Sequence, residues 1–294
     1  MSAERPAVDV VVPFAGSADA LRTLVARLEA LHVRERDTAT VALNRRVRGA
    51  RTGGRLVRVV DASDRRGSYH ARNAGAAAGS APWLLFIDAD VEPPRDLLDR
   101  LFDPSPGERT AVLAGAVLDE PPPSGTRGPA ALRYAWLKAS MSQETTLADE
   151  RWSFAQTACC AVRRDAFAEV GGFSDEPRSG GDADLCYRLA AGGWRLESRP
   201  GAAVMHRNRT TVPAMLAQRA RHGAGAAWLS KRYPGALPAR RLPGLAWWSV
   251  RRAAGGVFAL VRGDRDAALV ALLDGPAVWA FELGRLLPNR HLRR

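Results

Sequence analysis

The sequence has few cysteines, and their spacing supports neither a disulfide framework nor a metal site. Only three of the 294 residues are cysteines: Cys159 and Cys160 are adjacent, and Cys186 stands apart. Disulfide-rich secreted domains and zinc-binding domains depend on cysteines at regular separations. We therefore expect three reduced thiols and a cytoplasmic protein.

Long uncharged apolar stretches are also lacking. A membrane-spanning helix requires about 20 predominantly apolar residues, and the apolar segments near the C-terminus are interrupted by charges such as Arg251, Arg252 and Asp274. The first apolar run, VDVVVPF at 8–14, has the length of a strand and is shorter than the apolar core of a signal peptide. We expect neither a signal peptide nor a helix that crosses a bilayer.

No glycine-rich phosphate loop follows that first run. The chain continues as PFAGSADA, which lacks the GxGxxG pattern of dinucleotide-binding enzymes. It is also a poor match to the phosphate loops of nucleotidyltransferases. These absences argue against both enzyme classes.

The net charge of +12 is concentrated at one end of the chain. Residues 1–206 hold 27 basic and 27 acidic residues, whereas residues 207–294 hold 16 basic and 4 acidic residues. We expect residues 211–294 to form a basic, amphipathic helical extension. Either it binds an anionic membrane surface, or its helices pack on the rest of the chain or on another subunit. No nucleic-acid-binding motif occurs in it, so we expect no nucleic-acid partner.

Apolar periodicity predicts an α/β fold with a mainly parallel central sheet. Strands are expected at 8–15, 40–44, 55–63, 83–87, 110–120 and 153–164, and in a last strand that ends at His206. Helices are expected at 17–33, 69–80, 165–173 and 184–191, with further helical stretches after Pro94 and around Tyr134. A basic loop at 45–54 and a second loop at 121–129 separate these elements. Ligands of such sheets bind outside the carboxyl ends of the strands.

Two carboxylates follow the apolar strand WLLFI at 83–87. Asp88 and Asp90 form an Asp-x-Asp (DxD) motif at the carboxyl end of that strand. Carboxylates suit Mg²⁺ or Mn²⁺, and such an ion would reverse the local field that otherwise repels a diphosphate. The alternative is that both acids cap the next helix.

A second acidic pair occurs in SGGDADL. Asp182 follows two glycines on an expected loop, where its carboxylate suits a general base. Asp184 is placed to cap the helix that it opens, and the alternative is that both acids serve only this helix terminus.

Three further side chains are candidates for the same site. His206, at the end of the last strand, is either a metal ligand beside Asp90 or a hydrogen-bonded surface residue. Arg72 pairs with a phosphate, pairs with an acid or lies on a helix surface. Trp152 stacks on a sugar or fills a core.

Five motifs in this order resemble the inverting glycosyltransferases of family 2, which have the GT-A fold. They are VDVVVPF, HARNAGAAAGSAPWLLFIDADVEPP, CAVRRDAFAEVGGF, GGDADLCYRLAAGGW and AAVMHR, and together they cover roughly residues 7–210. The resemblance implies a GT-A nucleotide-sugar-binding domain at 1–210, with a nucleotide half at about 1–120 and an acceptor half at 121–210, followed by the extension at 211–294. It implies single-displacement transfer with Mn²⁺ or Mg²⁺ from a nucleoside-diphosphate sugar to a hydroxyl of a glycan, a lipid-linked acceptor or a small molecule.

The family pattern also assigns individual roles. Asp182 becomes the catalytic base, and the metal ligands are Asp88, Asp90 and His206. Donor-binding residues are Pro13, Phe14, Asn44, Arg72, Asn73, Asp88 and Ala89, and the acceptor side holds Trp152, Gly181 and Asp184. There are two departures from the pattern: Asn44 stands where the family has acids that bind the nucleobase, and Gly181 stands where glutamate is common.

An alternative function, the location and the oligomeric state stay open. A non-catalytic sugar-nucleotide-binding or scaffold protein would keep the GT-A fold, although the retained acids argue against it. A membrane-associated location at the inner face and a homo-oligomer are both compatible with the basic extension.

Overall fold

The computed structural model describes residues 5–47, 54, 56–123 and 128–291. Contacts divide the chain into two compact units. Of the described residues, the first unit comprises those up to 118, those at 142–206 and His291, and the second comprises those at 119–141 and 207–290. The division at residue 210 stays a prediction, because 119–141 groups with the C-terminal helices. The expected loops at 45–54 and 121–129 lie partly outside the described residues.

The first unit is built on one mixed sheet. Its strands are β1 Val8–Phe14, β2 Thr38–Leu43, β3 Val57–Asp61, β4 Trp83–Ile87, β5 Val91–Glu92, β6 Thr110–Asp119, β7 Cys159–Arg163 and β8 Arg195–His206. Their order is β3-β2-β1-β4-β7-β6-β8-β5. Pairing is parallel from β3 through β2 and β1 to β4. It is antiparallel between β4 and β7, β7 and β6, and β8 and β5. The predicted α/β class is confirmed. The parallel strands β1 to β4 all lie within residues 1–120, the predicted nucleotide half.

Helices cover this sheet. They are α1 Ala18–Glu29, α2 Ser68–Ala77, α3 Leu97–Leu101, α5 Gln143–Leu147, α6 Arg164–Glu169 and α7 Gly181–Ala191. Ser17 caps α1 by accepting a hydrogen bond from the Ala20 N–H. Helix α2 lies close to β1, since a Cβ on Gly75 would stand 2.5 Å from the Val11 side chain. Strand β4 is buried throughout, and its Phe86 packs against the rings of Phe167 and Phe173.

The three cysteines are free and buried. Cys159 and Cys160 belong to β7 at the centre of the sheet, and Cys186 lies in α7. Burial in apolar surroundings disfavours the thiolate and raises the pKa of Cys159 and of Cys186 to about 12. These thiols are therefore inert in the folded chain.

The second unit is helical. Its helices are α4 Ala130–Leu137, α8 Val212–Arg232, α9 Leu242–Val261 and α10 Arg265–Gly284. Helices α8 and α10 touch through two glycines: a Cβ on Gly223 would stand 1.9 Å from the Phe281 carbonyl oxygen, and one on Gly284 would stand 2.1 Å from the Ala220 oxygen. Any larger residue at either position would force the two helices apart.

Helix α10 also carries buried charges. Asp274 accepts hydrogen bonds from the Tyr134 hydroxyl at 2.9 Å and from Arg252 Nε at 2.8 Å. Glu282 accepts one from Arg240 Nη1 at 2.7 Å. The predicted helical extension thus forms, and these pairs join its helices to one another and to α4.

By length and composition alone, α10 could cross a membrane. An 18-residue window within it has a mean hydropathy of 1.4, and 39% of that window is buried inside the protein. The sequence prediction that no helix crosses a bilayer considered only uncharged runs, and α10 has charged residues within it. The core helix of a protein without a membrane segment has the same properties. Asp274 pairs with Arg252 of α9, and Glu282 pairs with Arg240 of the segment between α8 and α9.

Candidate active site

Asp88, Ala89 and Asp90 form a half-buried turn between β4 and β5. The Val91 N–H closes the turn on the Asp88 carbonyl at 3.3 Å. Arg27, which projects from α1, donates to the carbonyl oxygens of Ala89 at 3.2 Å and Val91 at 2.7 Å. Arg27 thereby holds the backbone of the acidic turn in place, a role that no local sequence pattern indicates.

Strand pairing brings Asp90 to His206. Val91 lies opposite His206 in the antiparallel pair of β5 and β8. The distance between His206 Nε2 and Asp90 Oδ1 is 3.6 Å. His206 is 4% exposed, and its Nδ1 is buried without a hydrogen-bond partner among the described residues. An imidazole nitrogen and a carboxylate oxygen therefore face each other, as two ligands of one divalent ion would.

No group of three or more His, Cys, Asp or Glu side chains in the described part of the chain is arranged to hold a metal on its own. Mg²⁺ and Mn²⁺ are commonly bound by one or two protein groups, with phosphate and water completing the shell. The pair of Asp90 and His206 fits that mode of binding.

Asp88 is held by Arg72. The Arg72 guanidinium of α2 donates to Asp88 Oδ1, and the arginine is 3% exposed. Its Nε is buried with no hydrogen-bond partner among the described residues. Of the three roles considered for Arg72, pairing with an acid is the one observed.

Asp182 lies in the first turn of α7 and not on a loop. The helix begins at Gly181, directly after Gly180, whose φ of 89° is in the left-handed region that favours glycine. Asp182 Oδ1 accepts a hydrogen bond from the Ala183 N–H at 3.0 Å. Burial raises the pKa of Asp182, against the opposing effects of that N–H and of the Arg72 charge, and the Asp88 charge raises it further. An aspartate with a raised pKa is a better proton acceptor than an exposed one.

The prediction that Asp184 caps this helix was wrong. The helix starts three residues earlier, so Asp184 is fully buried inside its first turns. Its carboxylate pairs with Arg188, one helical turn further on, at 2.8 Å. Asp184 therefore fixes α7 through a buried ion pair.

Tyr69 packs against the start of α7. A Cβ on Gly181 would stand 2.7–2.9 Å from three ring carbons of Tyr69. The Tyr69 hydroxyl lies 3.5 Å from Asp182 Oδ1, at the long limit of a hydrogen bond. The Arg72 guanidinium carbon lies 5.5 Å from the centre of the same ring. Tyr69 thus touches both Asp182 and the arginine that holds Asp88.

Replacing Tyr69 by Phe removes only this hydroxyl. For the general base that the resemblance implies at Asp182, we expect the acid limb of the pH–rate profile of sugar transfer to move to higher pH. The Tyr69 hydroxyl donates to the ionised form of Asp182, so its loss raises the pKa of that carboxyl. The matched control is Tyr134→Phe in the second unit, which removes another buried hydroxyl bonded to an aspartate. Equal shifts in both variants, or none in Tyr69→Phe, would contradict this role.

Other predicted residues have well-defined environments. Pro13 and Phe14 are buried in β1, and Asn44 follows β2 with its N–H donating to the Phe14 carbonyl at 2.9 Å. Trp152 is half-buried, and its ring meets Tyr187 of α7 edge-on at 5.0 Å between centroids.

Asn73 has a structural contact. Its side-chain Nδ2 donates to the Phe173 carbonyl at 2.8 Å, and its Oδ1 accepts from the Phe173 N–H at 3.0 Å. Both ends of the amide are therefore used to fix a loop to α2.

Comparison with known proteins agrees with this geometry. Residues 35–171 match the family described as Glycosyl transferase family 2. The chain is 32% identical over 237 residues to the pre-mycofactocin glycosyltransferase of Mycobacterium tuberculosis, an alignment that covers 77% of this chain and 48% of that protein. This chain belongs to glycosyltransferase family 2. It spans about half the length of the curated relatives it matches.

Solved structures show that this family 2 chain has the GT-A fold. A mannosyltransferase from Pyrobaculum calidifontis, in complex with GDP-Man and Mn²⁺, superposes with a TM-score of 0.64 at 20% identity, over 95% of this chain and 88% of that one. GalNAc-T7 with UDP, GalNAc and Mn²⁺ superposes with a TM-score of 0.51 at 18% identity, over 69% of this chain and 43% of that one.

The structure explains one departure from the family 2 pattern. Glutamate is common before the aspartate of α7, and this chain has Gly181 there. The Tyr69 ring occupies the space that any side chain at position 181 would need. Tyr69 and Gly181 therefore form a matched pair.

An acid that sequence reasoning missed lies near the other departure. Asp61 ends β3, opposite Leu43 in the parallel pair, so it stands at the same edge of the sheet as Asn44. Its bonds to Ser63 lower the pKa of Asp61, which keeps it ionised. An acid at the end of an apolar strand, the signal used for Asp88, would have identified it.

Proposed function

We propose that this family 2 protein transfers a sugar from a nucleoside-diphosphate sugar to a hydroxyl acceptor, with inversion and with a divalent metal. One observation carries the proposal. Two carboxylates, those of Asp88 and Asp182, interact with the same buried arginine, Arg72: the first through a hydrogen bond and the second through the arginine's charge. Asp88 accepts a hydrogen bond from the guanidinium, and Asp182 has a raised pKa that suits a base.

Asp90 and His206 would hold Mn²⁺ or Mg²⁺, with Asp88 as a further ligand. The facing His206 Nε2 and Asp90 Oδ1, and the restrained Asp88, fit such an ion. When bound, the ion would supply positive charge against the diphosphate of the donor. The GDP-Man and Mn²⁺ present together in the Pyrobaculum structure support this assignment.

Asp182 would act as the general base. The acceptor oxygen forms a bond to the anomeric carbon while the bond from that carbon to the diphosphate oxygen breaks. The hydroxyl proton passes to the Asp182 carboxylate, and the nucleoside diphosphate leaves with the bonding electrons. A single displacement of this kind inverts the anomeric configuration.

The remaining residues would form the two binding faces. On the donor side are Asn44, Asp61 and the end of β1 at Pro13 and Phe14, all at the carboxyl edge of the parallel strands, where ligands of α/β sheets bind. We leave the Asn73 amide out of this set because Phe173 occupies it. On the acceptor side, the half-buried Trp152 would stack on a sugar face, beside Gly181.

A screen of donors tests the proposal. The full chain is incubated with GDP-mannose, UDP-GalNAc and UDP-glucose, each with Mn²⁺ and with EDTA, and both thermal stabilisation and release of nucleoside diphosphate are measured. We expect one donor to raise the unfolding temperature and to be turned over in the presence of Mn²⁺ only. Turnover that survives EDTA would contradict the metal site.

The same screen separates catalysis from scaffolding. A non-catalytic binder would be stabilised by a donor but would release no nucleoside diphosphate. We propose that residues 1–210 supply the transferase and that the protein acts in the cytoplasm, a location that the three free cysteines support.

A further inference from the structure

One face of α9 is apolar and exposed. Trp247, Val250, Val257, Phe258 and Val261 recur at helical spacing along it, and their exposed fractions run from 55% for Val257 to 81% for Val261. We call these five residues the α9 stripe. It is about 21 Å long, at 1.5 Å per residue. Single exposed apolar residues are common, but a continuous row of this length usually marks a binding surface.

The opposite face of α9 is fixed to α10. Gly256 approaches α10 so closely that a Cβ there would stand 2.9 Å from Leu272 Cγ. Trp279 Nε1 donates to Ser249 Oγ at 3.0 Å, and Arg252 Nε donates to the buried Asp274 at 2.8 Å. These contacts set the rotation of α9 about its axis, so the α9 stripe is presented outward by a rigid support.

The charge around the α9 stripe is positive. Arg251 and Arg262 are exposed and border it on one side. The acids of this part of the chain are already engaged within the unit: Asp264 caps α10 through the Ala267 N–H, Asp266 pairs with Arg133, Asp274 with Arg252, and Glu282 with Arg240. The surface that flanks the stripe is therefore suited to an anionic partner.

We propose that α9 binds the surface of an anionic phospholipid bilayer, with its axis in the membrane plane. The α9 stripe enters the boundary between headgroups and acyl chains, where tryptophan is favoured, and Arg251 and Arg262 meet lipid phosphates. A second copy of this chain is a poorer occupant. A symmetric contact would bring the same arginines of both copies together without acids to balance them.

Vesicle flotation tests this proposal with the full chain. We expect binding to vesicles of phosphatidylcholine with phosphatidylglycerol at low salt, and weaker binding to phosphatidylcholine alone or at high salt. The double variant Trp247→Ser, Phe258→Ser should bind anionic vesicles about tenfold more weakly or worse. Arg251→Gln with Arg262→Gln should mainly remove the preference for anionic lipid.

The matched control is Trp136→Ser, which removes another exposed tryptophan of the same unit, from α4. Its vesicle binding should equal that of the unaltered chain. Because the α9 stripe is exposed, the unfolding temperature of the double variant should be unchanged; if that variant does not fold, Val261→Ser replaces it.

Three results would overturn the proposal: no flotation with anionic vesicles, equal loss in the control, or a dimer in light scattering that the stripe substitutions dissociate. Binding of vesicles does not depend on sugar transfer, so donor turnover in the same samples separates failure of this proposal from failure of the proposed function.

Discussion

Asp182→Asn should reduce the rate of sugar transfer by about 10²–10⁴-fold while leaving donor affinity nearly unchanged. The substitution keeps the size of the side chain and its ability to accept from the Ala183 N–H, but it removes the carboxylate that takes the acceptor proton. Steady-state transfer, together with calorimetric titration of the donor, would measure the two quantities separately.

The pH dependence gives a second test of the same residue. A base must be deprotonated, so the rate of the unaltered chain should fall as pH decreases through the raised pKa of Asp182. The fall should occur at higher pH than for an ordinary aspartate. In Asp182→Asn the residual rate should lose that acid limb.

Asp165→Asn is the matched control for this variant. Asp165 also lies in the first turn of a short helix and accepts from the next N–H, that of Ala166, at 2.7 Å. We expect its rate to stay near that of the unaltered chain. Near-normal transfer by Asp182→Asn, or an equal loss in both variants, would show that another group is the base.

Asp90→Ala should weaken donor binding in the presence of Mn²⁺ by about 100-fold, since a lost metal ligand removes several kcal/mol of interaction with the diphosphate. Calorimetric titration of the donor with Mn²⁺ and with EDTA would measure this difference without relying on turnover. The variant's affinity in EDTA should match that of the unaltered chain.

Asp96→Ala is the matched control for Asp90→Ala. Asp96 lies six residues further along, is half-buried and pairs with Arg100. The Asp96→Ala variant should show the same gain in donor affinity with Mn²⁺ as the unaltered chain. If Asp90→Ala retained that effect, the pair of Asp90 and His206 would have to be assigned to the fold and not to a metal.

The acidic turn could be predicted because its signal is local. A short apolar run followed by turn residues favours a buried strand, and acids directly after it then lie at the carboxyl end of that strand, where Asp88 and Asp90 are found. The partner of Asp90 required a pairing between β5 and β8, which are more than a hundred residues apart. The sequence suggested His206 as a strand end, but register alone brings it within 3.6 Å of Asp90.

The start of α7 shows why the rest of the site was harder to predict. An aspartate is a common helix cap, so the sequence predicts Asp184 as one, whereas the helix begins at Gly181 after a left-handed glycine. The reason for Gly181 lies in Tyr69, more than a hundred residues earlier. Single-residue preferences contain no information about such distant contacts. For the same reason, the sequence does not predict the contacts of Arg27 with the acidic turn or of Asn73 with Phe173.

The buried thiols have a practical consequence. Cys160 is buried in a core cluster formed by the sheet and by residues of α6 and α7, so a reagent can reach it only after this core has opened. The rate at which a thiol-reactive probe modifies Cys160 under native conditions therefore measures how often the core of this sheet opens.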